Sequence, residues 1–269
     1  DETLPSLPEV PADLFTCCMT TPIEISVKFF LLRNPLTAEY YSGLFDKDLS
    51  QVTSDYKMKF HKLSDFDTSY FKRTPERKDQ IADLSYIYTS ITDTIAYTCV
   101  PRNLFRRCFR QDSVCCALFR NFLLAQRIMK YYNCNPVSDP VLPDCHENEL
   151  WAHWDLAIEH FLSSLVQLKQ INPEKSLTVA LTESPRYIFS NFFDASLDHL
   201  KNWIQYGRYT QVPPPQLAMI LQLLLTPKYR ARALKMLAFF VDLGPWAVSL
   251  ALNVGVFAYV VKLLQSPVI

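Results

Sequence analysis

Glycine is scarce, and its scarcity excludes a good deal. Four glycines in 269 residues, none beside another, cannot build the loops that cradle phosphates, and no P-loop, G-x-S-x-G elbow or H-E-x-x-H helix occurs. A surplus of positive or negative residues is lacking too. The 27 Lys and Arg balance the 27 Asp and Glu, so no overall field draws in nucleic acid or an anionic membrane. The longest apolar runs fall far short of the roughly 20 residues that cross a bilayer. Asp1-Glu2-Thr3-Leu4 has neither the basic nor the apolar stretch of a signal peptide. A soluble, non-secreted chain is expected, and one cut from a larger protein, because the helical pattern is still running near Ile269. The eight cysteines contain no C-x-x-C. The adjacent pairs Cys17-Cys18 and Cys115-Cys116 point about 100° apart on a helix, which suits no single tetrahedral metal. They read as small buried thiols in a reducing compartment. No metal or cofactor is expected.

With 49% hydrophobic and 20% charged residues, the chain can bury a sizeable core. Two of its glycines, Gly244 and Gly255, each follow an apolar helical pattern and are placed to end a helix in the left-handed conformation. The stretch from Leu243 to Ser266 therefore reads as short helices separated by sharp stops. Stacked helical repeats look like this, because each unit buries its apolar face only on its neighbours.

Pro5, Pro8 and Pro11 suit an extended lead-in. The short apolar run Leu14 to Thr21, rich in β-branched and aromatic residues, reads as one buried strand. Thr21-Pro22-Ile23-Glu24 is a helix-start signature. A strand running into a helix is an α/β fragment. Residues 46–78 are polar without a clean period and read as a loop or insertion. Apolar stripes then recur at three and four: Ile81, Leu84, Ile87, Tyr88, Ile91 and Ile95, followed by Val114, Leu118, Phe122, Ala125, Ile128 and Met129. Pro101 starts a short helix, 102–109, between them. Asn133 to His146, with Pro136, Pro140 and Pro143, reads as a linker. Helices are expected over 149–170, 187–206, 215–225 and 228–241, punctuated by Pro213-Pro214-Pro215 and Pro227.

Catalytic chemistry finds little support. His153 and His160 share a helix face but stand about 10 Å apart along its axis, too far for one metal. Cys17 is the best-placed candidate nucleophile, yet apolar neighbours raise a thiol pKa. Arg102, Arg106, Arg107 and Arg110, with Arg120 and Arg127, stand out against the neutral chain. Either they form a solvated face with local carboxylate partners, or they meet an acidic segment of a partner. Trp151, Trp154, Trp203 and Trp246 are expected first to pack cores and inter-repeat contacts, the alternative being that they line a recognition pocket.

Four blocks resemble one family: Pro11 to Ile23, Thr89 to Ala96, Leu118 to Met129, and Asp242 to Ser266. The resemblance is to the Raptor family, called Kog1 in yeasts, the scaffold subunits of TOR complex 1. It implies a mainly α chain: residues 1–135 as the C-terminal part of a caspase-like α/β domain, and 136–269 as the first helices of an armadillo/HEAT-type solenoid. It also implies a non-catalytic adaptor that binds the TOR kinase and other TOR complex 1 subunits. Such an adaptor is dimeric through TOR, cytoplasmic and peripheral at the vacuolar or lysosomal membrane, and regulates growth with nutrients. Substrates would be recruited through a short acidic-hydrophobic TOR-signalling motif. By position, Lys72-Arg73-Thr74-Pro75 and Tyr259 match regions that line its groove, with Lys72 and Arg73 for acidic side chains and Tyr259 for a phenylalanine. The alternative from another class is residual cysteine-peptidase activity on the caspase-like fold, with Cys17 or Cys18 as the thiol.

Overall fold

A computed structural model describes residues 12–41, 80–171, 190–207 and 212–265. Among these the chain is mainly helical and has no β-strand. The elements are α1 (Leu14–Thr20), α2 (Pro22–Arg33), α3 (Pro35–Tyr40), α4 (Gln80–Cys99), α5 (Arg102–Arg110), α6 (Ser113–Lys130), α7 (Leu150–Ile171) and α8 (Phe192–Asn202). After α8 come a π turn (Trp203–Gly207) and a 3₁₀ turn (Pro215–Met219), then α9 (Ile220–Leu225), α10 (Pro227–Val241), α11 (Pro245–Val254) and α12 (Val256–Leu264).

The run expected to be a strand is the helix α1. Its buried residues Leu14, Cys17 and Cys18 recur at three and four, a helical period hidden inside a continuous apolar run. Asp13 starts the helix: the Thr16 amide donates to Asp13 Oδ1 at 2.9 Å and the Thr16 hydroxyl to Oδ2 at 2.7 Å, a cap worth about 1 kcal/mol. The threonines, which favour strands by propensity, donate their hydroxyls one turn back, Thr20 to Thr16 O at 2.8 Å and Thr21 to Cys17 O at 3.2 Å. Thr21 therefore does not cap α2 with its side chain. Pro22 opens that helix, and Glu24 pairs with Lys28 at 2.8 Å.

The described residues fall into two units. The first takes residues 12–41, 80–85, 121–137 and 151–171, with Ser190. Its core combines Ile25, Val27, Phe29 and Leu31 of α2, Leu123, Leu124, Ala125 and Ile128 of α6, and the stripe Trp151, Trp154, Ile158, Phe161, Leu162 and Leu165 of α7. Polar ties secure the helices. Asn121 Nδ2 donates to Met19 O at 2.8 Å, and the Tyr41 hydroxyl meets Ser163 Oγ at 2.6 Å. Arg127 pairs with Asp155 at 2.6 Å and lies over the ring of Trp151, 5.1 Å from its centroid.

The second unit takes residues 86–120, 138–150, 191–207 and 212–265. The expected stripe of α6 holds from Phe122 onward but fails before it: Val114 and Leu118 are 66% and 46% exposed. Arg120 is the cause. Its Nε donates to Asp93 Oδ1 at 2.6 Å, and residues two apart on a helix point about 200° apart, so turning Arg120 inward turns Leu118 out. Toward the C-terminus, Trp203, Phe240 and Trp246 pack edge-on and tilted with centroids 5.8 to 6.3 Å apart. Arg232 bridges Asp194 at 2.9 Å and Asp198 at 2.6 Å. Pro227 and Pro245 open α10 and α11 at the first turn, where a missing amide proton costs nothing. The segment 215–225 begins as a 3₁₀ turn before it becomes α9.

Gly255 ends α11 with φ 94° and ψ 19°, the left-handed conformation that a side chain makes costly. The next helix starts at once, and α11 and α12 meet at 86°. No single helix among the described residues is long and apolar enough to cross a membrane.

Candidate peptide groove

The corner at Gly255 is held by a buried charge cluster of the second unit. Arg110, at the end of α5, donates from Nε to Val254 O at 2.7 Å and from Nη1 to Asp93 Oδ2 at 2.9 Å and Phe109 O at 2.7 Å. A cation thus sits on the carbonyls that end α11, where the helix dipole favours positive charge. Its guanidinium carbon lies 4.6 Å from the Phe105 ring centroid. A Cβ added at Gly255 would come within 3.3 Å of Arg110 Cδ, so the glycine supplies both the turn and the room for the cation. Arg120 completes the cluster on Asp93. Burial works against its charge, but the Asp93 carboxylate beside it outweighs that and holds its pKa above the ordinary value.

One turn beyond this corner, α12 presents Tyr259 and Lys262 to a groove of about 440 Å³. Leu224 and Leu225 from the end of α9, Arg230 from the first turns of α10, and Leu263 and Gln265 complete the lining. Arg230 Nε donates to Leu224 O at 3.0 Å, which satisfies a terminal carbonyl of α9 and fixes the cation at the groove. The lining carries two cations and no carboxylate. Its walls are leucine and tyrosine. In charge and polarity this lining is complementary to an apolar or aromatic group with acidic neighbours.

Of the sequence-predicted site residues, Tyr259 lines the groove, half-buried. Lys72 and Arg73 lie outside the described residues. The arginine cluster splits: Arg102, Arg106 and Arg107 are exposed, whereas Arg110, Arg120 and Arg127 turn inward to carboxylates. Lys262 was within reach of sequence reading, being one helical turn from Tyr259. Leu224 and Arg230 were not, because nothing local ties them to a residue some 30 positions downstream.

The candidate thiols lack activation. Cys17 and Cys18 are 1% and 0% exposed, the Cys17 thiol donates to Ala12 O at 3.6 Å, and burial pushes both upward in pKa. His153 is exposed on α7 and His160 half-buried. Among the described residues no cluster of three or more His, Cys, Asp or Glu could hold a metal. All four tryptophans make packing contacts or lie in cores.

No family model matches the sequence. Curated relatives do. The chain is 43% identical over 268 residues to target of rapamycin complex 1 subunit mip1 of Schizosaccharomyces pombe, covering 100% of this chain and 18% of that protein. It is 37% identical to target of rapamycin complex 1 subunit KOG1 of Saccharomyces cerevisiae, over 99% of this chain and 22% of that one. Regulatory-associated protein of TOR 1 of Arabidopsis thaliana is 41% identical over 98% of this chain and 17% of its own length. The crystal structure of Chaetomium thermophilum Raptor superposes with a TM-score of 0.74 at 42% identity, over 98% of this chain and 21% of that one. The chain belongs to the Raptor/Kog1 family. It spans about a fifth of the length of the relatives it matches. Family members carry the names of complex subunits and regulatory-associated proteins rather than of enzymes, in line with the unactivated thiols.

Proposed function

We propose that this chain is part of a non-catalytic scaffold subunit of target of rapamycin complex 1, one that holds the TOR kinase and recruits its substrates in response to nutrients. Residues 1–135 are read as the C-terminal part of a caspase-like domain and 136–269 as the opening of an armadillo/HEAT-type solenoid that meets TOR. Family membership supports the complex. The groove supports the recruitment: Tyr259 with Lys262 and Arg230 offers an aromatic wall and two cations, the complement of an acidic-hydrophobic peptide. Lys72 and Arg73 would add further positive charge to the same peptide. The assembly is dimeric through TOR, cytoplasmic and peripheral at vacuolar or lysosomal membranes.

Tyr259 carries the reading and can be tested alone. A fluorescent TOR-signalling-motif peptide is titrated against the full-length protein and its Tyr259→Ala variant, with circular dichroism confirming the fold. A loss of about 2 kcal/mol, roughly 30-fold in Kd, is expected for an aromatic anchor. Unchanged affinity would remove the groove from substrate recruitment.

A further inference from the structure

The residues of α5 divide by face. Phe105, Cys108 and Phe109 are buried and fix the inward side of the helix, while Arg102, Asn103, Arg106 and Arg107 are exposed. These four stand at i, i+1, i+4 and i+5, so they form one continuous strip along the outer side. Every other arginine among the described residues has a partner. Arg33 lies over the Phe29 ring, Arg110 and Arg120 share Asp93, Arg127 meets Asp155, Arg230 donates to Leu224 O, and Arg232 bridges Asp194 and Asp198. Arg102, Arg106 and Arg107 make no ion pair, hydrogen bond or ring contact with any described residue. The nearest acids along the chain are already engaged: Asp93 sits between two buried arginines, and Asp112 Oδ1 accepts from the Val114 and Cys115 amides at 2.9 and 2.8 Å, which caps α6.

The start of α6 adds an apolar half. It follows α5 after only Gln111 and Asp112, and its first turns leave Val114 and Leu118, four apart on one face, 66% and 46% exposed. The Phe109 and Phe119 rings, 5.9 Å between centroids, tie the two helices together. We propose that the outer face of α5 and the first turns of α6 form a docking surface for an acidic amphipathic segment of a partner protein, one that shares no residue with the Tyr259 groove. Its carboxylates pair with Arg102, Arg106 and Arg107, and two apolar side chains one helical turn apart cover Val114 and Leu118.

Charge complementarity selects this occupant. Because the chain as a whole is neutral, three unpaired cations on one short helix make a local field, which steers an acidic partner to this face. The planar fork of an arginine suits a carboxylate in particular. A nucleic acid backbone has nothing to place on Val114 and Leu118, and one valine with one leucine buries too little apolar area to hold a membrane.

The test uses the full-length protein and a fluorescein-labelled synthetic helix of about 16 residues, rich in glutamate and carrying two leucines four apart. Fluorescence anisotropy should show saturable binding that weakens as salt is raised. Arg102→Gln, Arg106→Gln and Arg107→Gln together should lower the affinity about tenfold, whereas Arg102→Lys, Arg106→Lys and Arg107→Lys together should hold it within about threefold. Leu118→Ser should lower it about threefold. Circular dichroism checks the fold of each variant. The combined Arg→Gln variant should bind a TOR-signalling-motif peptide as the wild type does, which separates this face from the groove. Three results would each overturn the proposal: no saturable binding to the wild-type protein, affinity undiminished in the combined Arg→Gln variant, or an equal loss for both peptides. Vesicles of phosphatidylserine and phosphatidylcholine that bind through the same three arginines while the synthetic helix does not would overturn it too, by assigning the face to a lipid surface.

Discussion

The two units each bury an arginine beside a carboxylate and an aromatic ring, and they use the combination differently. In the first unit Arg127 meets Asp155 one to one, with the Asp155 side chain 28% exposed, and spends its flat face on Trp151. In the second, Asp93 at 7% exposure takes two arginines, and one of them caps a helix through Val254 O. The first pair joins α6 and α7 where apolar packing already holds them. The second determines where a chain corner can stand, since three elements converge on a single carboxylate. A partly wet pair is replaceable, whereas a dry one with unequal charges becomes costly as soon as its centre is removed.

That contrast can be broken by removing each carboxylate. Asp93→Ala leaves Arg110 and Arg120 buried without their anion and should destabilise the protein by about 3–5 kcal/mol in urea unfolding. Asp155→Ala removes a partly exposed carboxylate and leaves the buried Arg127 its Trp151 face, and should cost less, about 1–2 kcal/mol. Equal losses would mean that the two clusters play one role. Gly255→Ala probes the corner without touching a charge. A left-handed residue with a Cβ costs about 1–2 kcal/mol, and the contact with Arg110 Cδ must open as well. Thermal unfolding should show a loss near that of Asp155→Ala, together with weaker motif-peptide binding that Asp155→Ala leaves intact. Peptide affinity unchanged by Gly255→Ala would separate the corner from the groove.

Much of this was legible in the chain. The stripe from Ile81 to Ile95 is buried throughout, and Gly255 ends a helix in the left-handed conformation as its position foretold, whereas Gly244, at φ 128° and ψ −178°, lies outside that conformation and precedes Pro245 at the start of α11. Leu14 to Thr21 reads as a strand because the helical period of Leu14, Cys17 and Cys18 is hidden in a short run of apolar and β-branched residues; the Asp13 cap was the available signal. Val114 and Leu118 were misplaced for a non-local reason: the partner of Arg120 is Asp93, 27 residues upstream. The same holds for Arg110, whose four-residue spacing from Arg106 implied a shared solvated face until Asp93 and Val254 O drew it inward. Tyr259 came from family resemblance alone, and the leucine and arginine opposite it belong to helices that no spacing rule connects to it.

The right-angled corner at Gly255 also acts as the pivot of a lever. With about 1.5 Å of rise per residue, Tyr259 rides some 6 Å from the pivot and Lys262 about 10 Å. Tilting the arm by roughly 10° would shift the tyrosine by only about 1 Å but the lysine by nearly 2 Å. The aromatic wall is therefore the stiff reference of the groove, and the cation at its far end is the adjustable part. Peptides that differ in the spacing between their apolar anchor and their acidic residues should be told apart at the anchor and tolerated along the charge.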